Sequence, residues 1–272
     1  MSPLKILMLH GYTQNASIFG KRLAALRKSC GKDIELVFVD APNVLHPVDI
    51  ANTFASSSDS DQSNSLAAFG AAEASTSTDD PSLTPRAWWK TDPTRTQTTG
   101  MEDSIAYLRD LLRDQQFDGI FGFSQGAVMA VLLSALLERP DTHPTFLING
   151  KAPHPPFKFC VAVSGFKPPG SLSEALFITP LETQTLLVTG KNDILVTEER
   201  SRTLEEITKN KRVEVHDGGH FVPSKASWRN FFRAYFKDPL GDLTSPGITT
   251  ASEPPSGIAT PTTETNTLAP PL

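Results

Sequence analysis

Cysteine is scarce. Cys30 and Cys160 are the only two in 272 residues, too few for a disulfide framework, so stability has to come from an apolar core. Cys160 sits in an apolar run and reads as a buried small hydrophobe. Long apolar runs are missing too: the longest, residues 127–137 with Ser134 inside it, falls well short of the roughly 20 residues that span a bilayer. The chain opens Met1-Ser-Pro-Leu-Lys and runs into a short apolar stretch ending at His10, without the layout of a secretory leader. There is no dense basic block. Lys209, Lys211 and Arg212 form a compact cluster that reads as a solvated loop, with a weak nuclear signal as the alternative. These absences predict a soluble cytoplasmic protein with reduced thiols, no membrane span and no nucleic-acid partner. A nuclear location stays open.

What is present is a globular core with two low-complexity stretches. Residues 53–84 are rich in Ser, Ala, Thr and Asp, and residues 238–272 in Thr, Ser and Pro. Both hold acids and no bases, five and four respectively, so within a net charge of −5 they leave the remaining, roughly 205-residue, core at about +4. That core is large enough to bury a substantial interior. The expected organisation is one domain over 1–237, an insert at about 53–84 that is mostly disordered, and a disordered tail over 238–272. Residues 85–100 read as ordered over something.

Short apolar runs at 4–9, 35–39, 119–123, 159–163, 185–189 and 213–216 read as strands buried on both faces, the pattern of a parallel sheet. Amphipathic stretches separate them. Phe19, Leu23 and Leu26 share one face, as do Met101, Ile105, Leu108 and Leu112, and Trp228, Phe231, Phe232, Tyr235 and Phe236 give a last stripe with Ser224 as its expected N-cap. Residues 125–137 are apolar all round, a buried central helix ending before Pro140. This alternation is that of an α/β fold with a doubly wound, mostly parallel sheet and helices on both faces.

The chemistry lies in Phe121-Gly-Phe-Ser-Gln-Gly126. G-x-S-x-G between a strand and a helix holds a serine on a sharp turn that closes only if its neighbours are small, which Gly122 and Gly126 are. Ser124 is therefore the candidate nucleophile. A serine hydroxyl needs a base, and in chain order an acid and then a histidine follow at strand ends: Asp193 in Gly190-Lys-Asn-Asp193, and His220 in Asp217-Gly-Gly-His220. His220 reads as the base and Asp193 as the group that fixes its tautomer. His216 and Asp217 are weaker alternatives. The spacing of His216 and His220 resembles a metal pair, but Gly218 and Gly219 argue against a helix that would converge them, so no metal is expected. His46, His143 and His154 lie in Pro-rich loops and read as exposed. After strand 4–9, His10-Gly-Tyr-Thr-Gln-Asn15 offers a second oxyanion donor, so the backbone N–H groups of Tyr12 and Gln125 are the candidate hole. Trp88, Trp89 and Phe221 are candidate substrate-binding residues, with core packing an equal reading for the tryptophans.

Taken together, His10-Gly-Tyr-Thr-Gln-Asn, Leu26-Arg-Lys, Val39-Asp-Ala-Pro42, Trp88-Trp89, Asp118-Gly-Ile-Phe-Gly-Phe-Ser-Gln-Gly-Ala127, Val163-Ser-Gly165, Gly190-Lys-Asn-Asp193 and Gly219-His220 resemble the FSH family of serine hydrolases. The resemblance spans roughly residues 4–236, and Gly-Phe-Ser-Gln-Gly-Ala is its most specific block. It implies the α/β-hydrolase fold, a triad of Ser124, Asp193 and His220, and hydrolysis of carboxylic esters or thioesters without a cofactor. Some fungal members release polyketide acyl chains from synthases, so a carrier-bound acyl chain is one implied substrate. The insert, the tail and Gln115-Gln116 depart from the family pattern. An acyltransferase, or a non-catalytic interaction protein on the same fold, remains the alternative, and the oligomeric state is open.

Overall fold

The computed structural model describes residues 2–54, 73–77, 79–92 and 98–247. Six short strands, β1 (Leu4–Leu9), β2 (Ile34–Val39), β3 (Gly119–Phe123), β4 (Phe159–Val163), β5 (Thr185–Gly190) and β6 (Lys211–His216), form one sheet in the order β6-β5-β4-β3-β1-β2. Every pairing is parallel. The chain winds outward in one direction through β2 and in the other through β3 to β6, so the order reverses between β1 and β3. In open α/β sheets that switch point, at the carboxyl edge, is where ligands bind.

The strand period of two explains the layers. Ile6 and Met8 of β1 face one side, with Phe121, Phe123, Val161 and Val188, and are covered by Phe19, Leu23 and Leu26 and by the aromatic stripe from Trp228 to Phe236. Leu7 and Leu9 face the other side, with Ile120, Cys160 and Leu187, under Ile105, Leu108, Leu112 and Leu204. The helices are α1 (Ala16–Arg22) and α2 (Ala24–Cys30), then α3 (Pro47–Phe54), α4 (Met101–Asp114), α5 (Gln125–Glu138), α6 (Ser171–Leu176), α7 (Glu198–Glu206) and α8 (Ala226–Lys237); Ile50 of α3 packs apart from the sheet, with Tyr12, Leu45 and Ala87. Residues 125–137 of α5 are buried throughout, as its all-round apolar sequence demands, and the helix stops at Arg139 before Pro140. Among the described residues no helix is long and apolar enough to cross a membrane. The Cys160 thiol is fully buried, and burial pushes its pKa up to about 12.

Four expectations need correction. The insert is docked at its distal end: Ala74 packs on Ile18, Arg22 pairs with Glu73 at 3.0 Å, and the Asn15 amide donates to the carbonyls of Ser82 and Thr84 at 3.0 Å each. The same Asn15 caps α1 through Oδ1, which accepts from Ile18 N–H at 2.8 Å, so one side chain ties the returning insert to the fold. Residues 55–72 and 78 lie outside the described residues. The domain also does not end at 237. Leu243 packs under the α8 face, its carbonyl accepts from Arg212 at 2.6 Å, and Ser245 donates to Glu214 at 2.5 Å; residues 248–272 lie outside the described residues. The third correction concerns β6, which is one edge of the sheet and is covered on one face only: Glu214 and His216 are buried while Val213 and Val215 are exposed. Fourth, the N-cap of α8 is Lys225 rather than Ser224, without a capping hydrogen bond from its side chain; the Ser224 carbonyl instead accepts from Arg229.

Candidate active site

Ser124 stands where β3 passes into α5, with φ 54° and ψ −120°. A non-glycine residue in that region is strained and persists only where its surroundings force it. Here they do. Its N–H donates to the Val163 carbonyl at 2.8 Å. A Cβ on Gly122 would stand 2.1 Å from the Gly126 carbonyl oxygen, and one on Gly126 would stand 2.2 Å from that of Leu9. Only glycine lets the turn close.

The acid and the base arrive from the next strand ends. Beyond β5, the Asp193 Oδ1 accepts from the N–H groups of Leu195 at 3.0 Å and Val196 at 2.8 Å. Beyond β6, the loop to His220 interlocks with the acid loop: Asn192 N–H donates to the Gly218 carbonyl at 3.0 Å, and a Cβ on Gly190 would stand 2.5 Å from the Gly219 oxygen. His220 Nδ1 is 2.8 Å from Asp193 Oδ2 and Nε2 is 2.9 Å from Ser124 Oγ. A carboxylate only accepts, so Nδ1 carries the proton and Nε2 is left to accept from the serine hydroxyl. Phe123 supports the ring at a centroid distance of 4.9 Å. Burial alone would raise the Asp193 carboxyl, but the hydrogen bond and charge of His220 and the Val196 N–H outweigh it, and the group is held below its ordinary range.

The loop after β1 lies over the nucleophile. A Cβ on Gly11 would stand 3.4 Å from the Ser124 Cβ. The Gly11 carbonyl is held by the His10 ring at 2.8 Å and by Gln14 N–H at 3.2 Å, which fixes the plane of the Gly11–Tyr12 peptide and with it the direction of the Tyr12 N–H. His10 is fully buried. Its Nε2 accepts from Ala41 N–H at 3.0 Å, so Nδ1 bears the proton, and burial holds its pKa down to about 4. Gln125 is the first residue of α5, where backbone N–H groups have no intrahelical acceptor and the dipole favours negative charge.

The other sequence candidates fall elsewhere. Trp88 and Trp89 belong to the core, 0% and 4% exposed, which is the packing reading of that pair. The Trp88 indole packs on His10 and donates to its carbonyl at 2.9 Å. Their backbone is held by a residue whose side chain the sequence reading passes over: Gln125 Oε1 accepts from Trp88 N–H at 2.7 Å and Nε2 donates to the Trp89 carbonyl at 2.8 Å. A buried amide opening an otherwise apolar helix was the signal for it. Phe221 is half exposed and lies on His216. His216 is buried between Phe221 and Trp228, below its ordinary pKa because of that burial, and is turned to the α8 side of the sheet. Asp217 is exposed, and its carbonyl, not its carboxylate, is used in the loop contact with Asn192. His154 is buried rather than exposed, its Nε2 accepting from Phe117 N–H at 2.9 Å; His143 is half buried beside Glu102, and His46 is exposed. Among the described residues no group of three or more His, Cys, Asp or Glu side chains is arranged to hold a metal ion.

The family model described as serine hydrolase (FSH1) matches residues 1–232. The chain belongs to the FSH1 serine hydrolase family. Esterase OVCA2 of Danio rerio is 32% identical over 246 residues, covering 86% of this chain and 97% of that protein. A Schizosaccharomyces pombe protein named dihydrofolate reductase is 31% identical over 94% of this chain, but the match spans only 53% of that protein. Among solved structures, Zea mays acyl-protein thioesterase 2 superposes with a TM-score of 0.53 at 19% identity, covering 89% of this chain and 95% of that one. That similarity places this FSH1-family member in the α/β-hydrolase fold.

Proposed function

We propose that this serine hydrolase cleaves carboxylic esters or thioesters through an acyl-enzyme on Ser124. The observation that carries the reading is the continuous relay at the carboxyl edge of the sheet, 2.9 Å from Ser124 Oγ to His220 and 2.8 Å from His220 to Asp193. The names of the relatives support the substrate class.

The steps follow from the geometry. Ser124 Oγ attacks the acyl carbonyl carbon while its proton passes to His220 Nε2, and the imidazolium is stabilised by the ionised Asp193. The oxyanion accepts from the backbone N–H groups of Tyr12 and Gln125. The intermediate collapses, the C–O or C–S bond breaks, and the leaving alkoxide or thiolate takes the proton from His220. Water then attacks the acyl-enzyme, gives a proton to His220, and releases the acid and Ser124 on the second collapse. A small alcohol, a thiol or a carrier-borne thiol serves as leaving group. Ile194 and Phe221, each exposed and next in sequence to Asp193 and His220, are the apolar surface offered to an acyl chain in place of the buried tryptophans.

Turnover of a p-nitrophenyl ester and of an acyl thioester, compared between wild type and Ser124→Ala, tests the reading. Both substrates should be cleaved by the wild type and neither by the variant; a protein inert toward both classes would refute it.

A further inference from the structure

Three of the four strand ends from β3 to β6 lead to a member of the relay: Ser124 follows β3, Asp193 lies just past β5, and His220 lies past β6. The fourth strand, β4, ends in Ser164, between the nucleophile and the acid in the order of the sheet. Its φ repeats that of the nucleophile, 51° against 54°. Each N–H donates at 2.8 Å to a carbonyl of the neighbouring strand, Ser124 to Val163 and Ser164 to Val188. A left-handed serine is costly, and such strain clusters where function over-determines the chain.

The side chain is equally unusual. Ser164 is 1% exposed and its hydroxyl forms no hydrogen bond among the described residues, although buried polar groups are nearly always paired. Beside it Asp193 has spare capacity: two N–H groups on Oδ1 and the His220 ring on Oδ2 fill three of the roughly four acceptor sites of a carboxylate. The hydroxyl helps to favour the ionised form of that carboxylate, yet it completes no hydrogen bond with any described residue. An unused donor and an unused acceptor site thus lie side by side at the acid of the relay.

We propose that Ser164 is a positioning residue for Asp193, its hydroxyl turning to supply the carboxylate's fourth hydrogen bond as His220 takes the proton from Ser124. This rests on the reading of Ser124, His220 and Asp193 as a catalytic relay. Such bonds are commonly loose in the free enzyme and tighten in the transition state. The bond anchors the carboxylate that holds the imidazolium, so it contributes to the chemical step and not to substrate binding.

The test compares Ser164→Gly and Ser164→Ala with wild type in ester turnover and thermal melting, with Ser124→Ala in parallel. Glycine removes the hydroxyl while accepting the left-handed backbone without strain. The expected result is a roughly tenfold fall in kcat with KM within about twofold for both variants, while the Tm of Ser164→Gly holds or rises. Ser164→Thr, which keeps the hydroxyl, should recover most of kcat despite a lower Tm. Wild-type kcat in Ser164→Gly and Ser164→Ala, or a change confined to KM, would overturn the proposal while an inactive Ser124→Ala left the relay intact. Turnover by Ser124→Ala would overturn the relay itself, and the proposal with it.

Discussion

Acid should destabilise the protein through His10, and the size of the effect follows from where the ring sits. His10 is fully buried, tilted against Trp88, with Nδ1–H given to the Gly11 carbonyl and Nε2 taking the Ala41 N–H. Burial is the main reason its pKa falls from 6.5 to about 4; the Gly11 hydrogen bond and the Asp40 charge oppose it, and the Arg86 charge adds slightly to it. In the unfolded chain the ring titrates near its ordinary value, so between pH 6.5 and 4 the unfolded state binds the extra proton. Stability therefore rises with pH across that window: the contribution is fully present above about 6.5 and is lost as pH falls toward 4. At about 1.4 kcal/mol per pH unit the full effect is about 3 kcal/mol, a large share of a typical domain's stability. The assay is urea unfolding from pH 4.5 to 7.5 for wild type and His10→Gln. His154 and His216 are also held below their ordinary pKa by burial, but they are common to both proteins and cancel in the difference. The stability gap between the two proteins should shrink by about 2–3 kcal/mol from pH 7 to 4.5. A gap that stays constant would refute the neutral buried imidazole.

Other substitutions probe the site and its supports. Asp193→Asn should cut kcat by up to about 10⁴, because an amide can present the wrong tautomer to His220; Asp217→Asn should do far less, and the reverse ranking in steady-state kinetics would make Asp217 the orienting acid. Gln125→Leu strands the Trp88 N–H and the Trp89 carbonyl and should cost roughly 2–4 kcal/mol in denaturant unfolding; a neutral result would show that the amide bridge does not hold that segment. Ending the chain at 247 should leave Tm unchanged, whereas ending it at 240 removes Leu243 and the partners of Arg212 and Glu214 and should lower Tm by roughly 3–8 °C. With Ile194 and Phe221 offering apolar surface, kcat/KM for p-nitrophenyl esters should rise tenfold or more from acetyl to octanoyl, each buried methylene being worth about 0.8 kcal/mol. A flat series would leave those two side chains without that role.

What could be read from the sequence is what short-range chemistry dictates. The strands at 4–9, 119–123 and 159–163 coincide with β1, β3 and β4, because a strand is apolar along whatever length is buried on both faces, residues 6–9 in β1 and all of β3 and β4. The nucleophile turn announces itself because glycine at 122 and 126 is a steric requirement within five residues. At the edge of the sheet the same rule misleads: β6 is covered on one side, and the alternation Val213-Glu-Val-His216 was the visible sign of it. Residues 73–77, 79–84 and 238–247 escaped because a polar segment held by a few backbone carbonyls to Asn15 or Arg212 looks, by composition, like one held by nothing. Trp88 and Trp89 carry no period of their own. Their place is set by an amide on another element 36 and 37 residues away, a distance that no local pattern encodes.

The central claim is that Ser124 is a nucleophile activated by His220 and Asp193, and covalent capture tests it most directly. A fluorophosphonate probe applied to wild type, Ser124→Ala and His220→Ala, with the adduct located by peptide mass spectrometry, should label the wild type on Ser124. The first variant should carry no adduct, and the second should label far more slowly. Equal labelling of wild type and Ser124→Ala, or an adduct on another residue, would contradict the account.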